Sequence, residues 1–529
     1  MKRLYAILGI LLIILSGMTY LYFSNLKTAT VNSDLSLKFA TQQSGLIFSM
    51  QNNKSVIDIL KGQDLFNNLV GEEKVQLLDA MKSALLSRPE FNRLISDQNI
   101  YISILPGDKR QIDFLVSMQL NSTATRESFI QTLQSKNIQF EALQDLYKLS
   151  LSDTLSLYVG MEKNTLLIST AESQVRAALN NKSEADADFL DFIRKNDRLS
   201  KNSLASLYIN FRKVPALLKV ITPAAKSGEL SMLNQQQGFA HLSYNFSKER
   251  IFFNGETRVA DPNSFYALFQ DLKPEKVEAD KVLPDNTANY SLYCLGPYKT
   301  WQKALNNWFS KKKESEGILK RKKEINAQYH LNLEGIFPAN TGSQFISFQL
   351  KNKEKLVAIS LTNPDKVSQL LLDLSADYSG PIKQFKEPDI LYYYFGEPLK
   401  RFKRPYYAIL NNYMFLANTP SALQGFLQKY EANDLLINKK TYVDIFEQLP
   451  NTASLLFYVN NGLSQDMIIN NLYSSYYKHF RDPSGLKNFD SFLYQLSADQ
   501  GTYQTNLFLN TRMQKATVTT DSLQVISEY

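Results

Sequence analysis

Two periods govern the placement of apolar residues along the chain. Residues 406–427, YYAILNNYMFLANTPSALQGFL, show both: apolar runs on either side of Asn411-Asn412, then apolar positions at helical spacing after Thr419-Pro420. The stretch predicts a strand, a turn, a second strand and a helix. Residues 158–179, YVGMEKNTLLISTAESQVRAAL, pass through the same series. Aligned, Leu166, Leu167 and Ile168 fall on Met414, Phe415 and Leu416, and Ser173, Val175 and Leu179 fall on Ser421, Leu423 and Leu427.

The neighbours of this unit recur too. In the first half the pattern predicts strands over 46–50, 100–105 and 112–120, the last two joined by Pro106-Gly107-Asp108, with helices over 55–60, 72–86 and 125–133. Beyond the unit come a helix over 188–193, a strand over 204–211, a helix over 214–220 with Pro215 near its start, a hairpin over 238–246 and 251–259, and a helix over 264–272. The second half retraces this path. Residues 290–295 answer 46–50, and 299–305 answer 54–60. FISF at 345–348 answers YISI at 101–104, and 356–361 with 367–374 answers 114–120 with 129–133. ASLLFYVN at 453–460 answers 204–210, and 492–496 with 503–509 answers the hairpin around Tyr244 and Phe253. These pairs lie about 240 to 253 positions apart and keep one order. A finer period, strand, helix, hairpin, helix, starts at about 44, 203, 288 and 452.

A repeat on this scale decides the fold class. At 529 residues the chain exceeds one hydrophobic core. Hairpins and short connections imply antiparallel sheets with one buried face and helices packed on it. The expected fold is α+β: an N-terminal transmembrane helix, then two tandem, duplicated lobes of antiparallel sheet with packed helices. The expected bounds are 1–24 for an anchor or signal segment, 25–43 for a tether, 44–272 for the first lobe, 273–287 for a linker, 288–512 for the second lobe and 513–529 for a flexible tail.

The first residues set the expected address. Lys2 and Arg3 precede an uncharged run over 4–23, closed by Tyr20, Tyr22 and Phe23. About twenty residues span about 30 Å, the thickness of a bilayer's hydrocarbon core. The basic end stays in the cytoplasm and the rest crosses. A cleaved signal peptide is the competing reading, but cleavage wants small residues one and three places before the cut. Gly17 has Leu15 at that spacing and Ser24 has Tyr22. The expectation is a single-pass inner-membrane protein with its bulk in the periplasm.

Charge and composition exclude several classes. A net charge of +8, spread along the chain, lacks the concentrated basic face of a nucleic-acid protein. The single cysteine, Cys294, forbids an intramolecular disulfide and a cysteine metal cluster, and its apolar setting, YSLYCLG, makes it a small hydrophobe. His241, His330 and His479 fall in a strand, a helix end and a polar turn, none with a second ligand at metal spacing. No metal, cofactor or catalytic residue is expected, and no G-x-S-x-G elbow or phosphate loop is present.

Two features suggest contacts. The run KKKESEGILKRKK at 311–323, with Ile318, Leu319, Ile325 and Tyr329 as a buried stripe, would meet anionic headgroups or form a solvated helix face. Tyrosines cluster at Tyr392, Tyr393 and Tyr394 beside Phe395, at Tyr406 and Tyr407, and at Tyr473, Tyr476 and Tyr477. Tyrosine serves peptide, glycan or protein contacts, and also packs sheets. Residues 392–395 read as a strand pointing to both sheet faces; the last three tyrosines read as a partly exposed helix.

The unit ANTPSALQGFL after YYAILNNYMF, followed by TYVDIFEQLPNTASLLFYVNNG, resembles an uncharacterised family of bacterial envelope proteins, filed as domain of unknown function thirty-three fifty-two. The resemblance covers 405–462 well and 158–211 more loosely, where Leu199-Ser200 replaces the Leu-Pro. It implies an N-terminal anchor and repeated strand-turn-strand-helix units, and lends no catalytic residues. Three functions follow as expectations: a non-enzymatic binding or scaffolding protein with an envelope protein or polymer as partner, a hydrolase of envelope polymers using dispersed carboxylates, or a carrier of an apolar ligand.

Overall fold

The computed structural model describes residues 34–511 apart from 52–53, 72–74, 77–93, 95–98, 122–124, 136–138, 152–154, 181–185, 198–202, 224–236 and 248–249. The apolar run over 4–23, most of the helix expected over 72–86 and the tail from 513 lie outside the described residues. Among the described residues no helix is long and apolar enough to cross a membrane.

The fold is mixed α+β, built on one antiparallel sheet of twenty strands. The first half of the chain supplies β1 (Leu46–Gln51), β2 (Asn99–Pro106), β3 (Ile112–Gln119), β4 (Phe140–Leu143), β5 (Leu146–Ser150), β6 (Ser156–Glu162), β7 (Thr165–Ser169), β8 (Ala205–Asn210), β9 (Gly238–Phe246) and β10 (Arg250–Val259). The second half supplies β11 (Thr287–Cys294), β12 (Thr341–Leu350), β13 (Lys355–Leu361), β14 (Ser375–Ser379), β15 (Ile382–Phe385), β16 (Tyr406–Leu410), β17 (Tyr413–Ala417), β18 (Leu455–Asn460), β19 (Phe489–Asp499) and β20 (Thr502–Thr511). Across the sheet the first half runs β4-β5-β6-β7-β3-β2-β1-β8-β9-β10. The second half continues from it as β20-β19-β18-β11-β12-β13-β17-β16-β15-β14. Counted from its own outer edge, each half has the same strand order. The finer period shows as well: within β3-β2-β1-β8-β9-β10, a strand and its following hairpin occur twice, back to back.

The halves meet where β10 pairs with β20, Asn254 opposite Asn506 and Phe253 opposite Leu507. A loop of the second half also reaches the first. The Tyr473 N–H donates to the Ile221 carbonyl at 3.0 Å, and the Tyr476 hydroxyl to the Arg110 carbonyl at 3.1 Å.

Local chemistry explains the repeated unit. Between β16 and β17, Asn411 takes φ 52°, a left-handed turn position that Asn tolerates. The Thr419 side chain accepts from the Ala422 N–H, and Pro420 opens the helix Pro420–Glu431. In the first half Lys163 turns β6 into β7 at φ 54°, and the helix Glu172–Leu179 follows.

Five expectations are corrected. The sheet of the second half buries both faces, not one. Leu356 and Ala358 face one core while Val357 and Ile359 face the other, and all eight residues of β11 are buried. Runs apolar at both parities demand two covers. The stretch read as a tether carries the helix Asp34–Thr41, with Leu37, Phe39 and Ala40 buried. The stretch read as a linker carries a 3-10 turn over Ala279–Val282, with Ala279, Val282 and Leu283 buried. Each leads into the first strand of its half and packs on the sheet, so spaced apolar residues in a polar setting hid the same element twice. Residues 392–395 lie in the helix Ile390–Phe395, bounded by Asp389 and Gly396 at positive φ, so their β propensity yields to tertiary packing. The helix expected over 264–272 is a 3-10 turn over Phe265–Phe269.

The outer edges, β4 and β14, are short. Glu141 on β4 and Asp377 on β14 are exposed, and Asp377 pairs with Lys383 at 2.9 Å. Short, charged edges resist the addition of a further strand.

Candidate functional site

The residues singled out from sequence do not converge on one another. His241 is buried on β9, stacked on Tyr208 at 4.9 Å, with Nε2 3.3 Å from the Ser206 hydroxyl. His330 ends the helix Ser315–Tyr329 in a left-handed conformation. His479 places Nε2 3.2 Å from the Leu69 carbonyl, across the junction of the halves. Cys294 is buried, and burial raises its thiol pKa. Among the described residues no group of three His, Cys, Asp or Glu side chains could hold a metal ion.

Burial pushes His241 down to about 4 from an ordinary 6.5. The unfolded chain takes this proton near 6.5, whereas the folded chain holds it off until about 4. The stabilising difference is therefore complete above about 6.5 and is lost as pH falls towards 4. Urea midpoints taken from neutral pH down to that region should fall, and fall less in His241→Gln. An identical slope in the variant rules His241 out as the source.

Part of the basic run is occupied within the chain, while Lys313, Lys320 and Lys323 are exposed. Lys312 lies 3.9 Å above the Trp308 ring and 3.4 Å from Glu397. Arg321 pairs with Glu387 at 2.5 Å and Glu324 at 3.0 Å. Lys322, itself buried, pairs with Glu334 at 2.9 Å and lies 4.0 Å above the Tyr394 ring. Ile325 is buried as expected, but Leu319 is 57% exposed, so the apolar stripe is narrower than the spacing suggests. These paired cations clamp helices to one another and have little left for a headgroup.

The tyrosines divide in the same way. Tyr392 donates to Glu314 at 2.5 Å and Tyr394 to Glu334 at 3.1 Å. Tyr407 shares a 2.7 Å hydrogen bond with Ser375, and burial pushes it up to about 12. Tyr473 lies under the Arg110 guanidinium at 4.1 Å. Tyr473 precedes a 3-10 turn that contains Tyr476, and Tyr477 opens a five-residue helix; all three are half-buried.

One carboxylate invisible as a motif sits deep in the second half. Asp280 is buried and accepts the Tyr442 hydroxyl at 2.8 Å, and that hydroxyl is 2.7 Å from the Tyr290 hydroxyl. Burial raises the Asp280 pKa and outweighs the hydrogen bond from Tyr442. Its hydrogen-bond partner is a phenol rather than a second carboxylate, so the group anchors its segment to the sheet.

The arrangement that stands out is shared by both halves. On β10, Ile251, Phe253 and Thr257 are buried against one face, where the helix Asp64–Val70 contributes Leu65 and the Tyr503 hydroxyl reaches the Tyr266 carbonyl at 2.5 Å. The opposite face of the four central strands, β9, β10, β20 and β19, is polar along its middle and apolar at Phe239 and at Phe252, Phe508 and Leu493. Cross-strand register lines up Ser243, Asn254, Asn506 and Gln495 in one row, and His241, Glu256, Gln504 and Ser497 in the next. Asn254, Arg258 and Gln504 are exposed, and Asn245, Glu256 and Asn506 half-buried. Amides hydrogen-bond along the floor: Asn245 Nδ2 donates to Asn254 Oδ1 at 2.6 Å, and Asn506 Nδ2 to Gln495 Oε1 at 3.2 Å.

Walls flank this floor. On one side the helix Ala187–Asp197 packs Phe189 and Phe192 on Phe239 at 5.1 and 5.5 Å. On the other, the helix Lys440–Phe446 packs Tyr442 on Tyr458 at 5.3 Å, and the Pro450 and Thr452 carbonyls accept from Gln495 Nε2. Four strands make three spacings of about 4.8 Å, a floor roughly 15 Å wide. Alternation in β10 and β20 could have marked the polar face in the sequence. Their pairing, between strands about 250 residues apart, could not.

No family model matches the chain. No curated protein matches it either. Among solved structures it is similar to TP0453, a Treponema lipoprotein, in crystal form III, with a TM-score of 0.24 and 9% identity over 42% of this chain and 80% of that one. A likeness at that level carries no argument about fold or function.

Proposed function

We propose that the chain is a membrane-anchored binding or scaffolding protein of the bacterial envelope, non-enzymatic, which holds its partner on the polar floor at the junction of its halves. The observation that carries this reading is the floor itself: an open, hydrogen-bonding surface built equally from β9 and β10 of one half and β19 and β20 of the other. The N-terminal half of the reading rests on the apolar run over 4–23 behind Lys2 and Arg3, the scarcity of cysteine and the resemblance noted above. In this reading two duplicated lobes, 44–272 and 288–512, arose from one ancestral unit and fused edge to edge. Duplication placed the recognition surface on the seam, where neither copy alone would complete it.

A photocrosslinking residue at position 254 or 504, in the full chain in its native membranes, should give discrete adducts. The same residue at position 320, on the exposed face of the helix Ser315–Tyr329, should give none. Equal labelling at all three positions would remove the floor as the contact surface.

A further inference from the structure

We infer that the floor takes an uncharged, hydroxyl-rich glycan chain; this rests on the binding function proposed above and names its ligand class. Three observations lead there.

The first is charge. On this face Arg250 and Arg258 are matched by Glu256 and Asp499, so the floor offers no net charge to a polyanion. Nucleic acids and acidic polymers are bound through an excess of cations.

The second is the kind of polar group. Asn245, Asn254, Asn506 and Gln504, all half-buried or exposed, carry amides that combine a donor with an acceptor. A sugar hydroxyl offers both as well, so amides can follow it whichever way it turns. Beside the amides, the half-buried Phe252 stacks on the buried Phe508 at 5.4 Å and 12°, and the C–H face of a sugar ring can lie against the part of Phe252 that reaches solvent. A peptide would prefer free backbone groups on a strand edge. The four floor strands are paired on both sides, and the sheet's outer edges are short and charged.

The third is an unmet demand at one end of the floor. Asn510 and Ser491 lie opposite each other on β20 and β19, on the floor face, 8% and 1% exposed. Among the described residues neither Asn510 Nδ2 nor Ser491 Oγ has a hydrogen-bond partner. A buried donor left unpaired is destabilising. Ligand hydroxyls arriving beside Phe508 would satisfy both groups.

The test uses the full chain in a non-glycosidic detergent and titrates neutral gluco- and chito-oligosaccharides by calorimetry, with a sulfated oligosaccharide alongside. The expected result is binding of a neutral oligosaccharide, weakened about tenfold or more when Asn254→Ala and Asn506→Ala are combined. Both residues reach solvent on the floor, and an unchanged melting temperature confirms that the variant is folded. Preference for the sulfated ligand, or neutral binding untouched by the double variant, overturns the glycan assignment. Absence of glycan binding together with floor-specific adducts from membranes overturns the glycan and leaves the binding function standing. Absence of both overturns the two together.

Discussion

Trp301→Ala is expected to destabilise the protein by about 3–5 kcal/mol, the range for truncating a fully buried large aromatic. Trp301 is 0% exposed, and its ring meets Phe269 at 5.1 Å and Phe265 at 5.9 Å. It also carries a polar duty: its indole N–H donates to the Tyr394 carbonyl at 3.0 Å, to which the Tyr298 hydroxyl donates at 2.9 Å. That carbonyl belongs to the short helix Ile390–Phe395, so Trp301 fixes to its own helix, Tyr298–Lys311, a segment whose sequence favours strand. Truncation leaves a cavity between three aromatic layers and removes one of two donors. Trp301→Phe divides the effects, because it keeps a six-membered ring in the core and loses the donor with the smaller ring of the indole. It should cost about 1–2 kcal/mol, since Tyr298 still satisfies the carbonyl. Urea unfolding followed by far-UV circular dichroism gives both values. A Trp301→Ala cost below that of the Phe variant would contradict the packing.

What the sequence disclosed and what it withheld divide along chain distance. The hairpin of β16 and β17 with its helix was legible because each decision is local: Asn411 turns, Thr419 caps, Pro420 starts the helix. Most strands of each half and their order of occurrence were legible for the same reason, but the edge strands β4, β5, β14 and β15 were not expected. The union of the halves was not. Residue 254 meets residue 506 through backbone groups that every residue possesses, so no side chain advertises the pairing. The second cover of the sheet was half legible. KLVAISL in β13 is apolar at both parities, which announces two buried faces, although short apolar runs also suit a buried helix. Asp280 and its tyrosines were illegible because Tyr290, Tyr442 and Asp280 come from three separate elements. The floor lay between these cases. Its residues alternate visibly with the buried set in β10 and β20, but an exposed polar strand face is ordinary until two halves set the same face side by side.

Leu507→Pro tests whether that joining is mechanical as well as geometric. Leu507 lies in β20, opposite Phe253 of β10 and Tyr494 of β19. Proline there removes a ladder N–H from a strand paired on both sides, a position that sheets almost never give it. The cost of proline in a helix interior, about 3 kcal/mol, sets the scale, and the loss falls at or beside the seam. Both tryptophans, Trp301 and Trp308, lie in the core that the second half forms with Phe265 and Phe269, so their fluorescence follows that core while far-UV circular dichroism follows the whole sheet. In the unaltered protein the two signals should trace one transition, because β10 and β20 bind the halves into a single sheet. In Leu507→Pro the midpoint should drop and the two traces should part, the halves now unfolding at different denaturant concentrations. Leu507→Val keeps the N–H and the apolar contact, and should leave the traces together. If the traces already diverge without any substitution, the seam transmits no stability between the halves, and a ligand bound across it would have to supply that coupling itself.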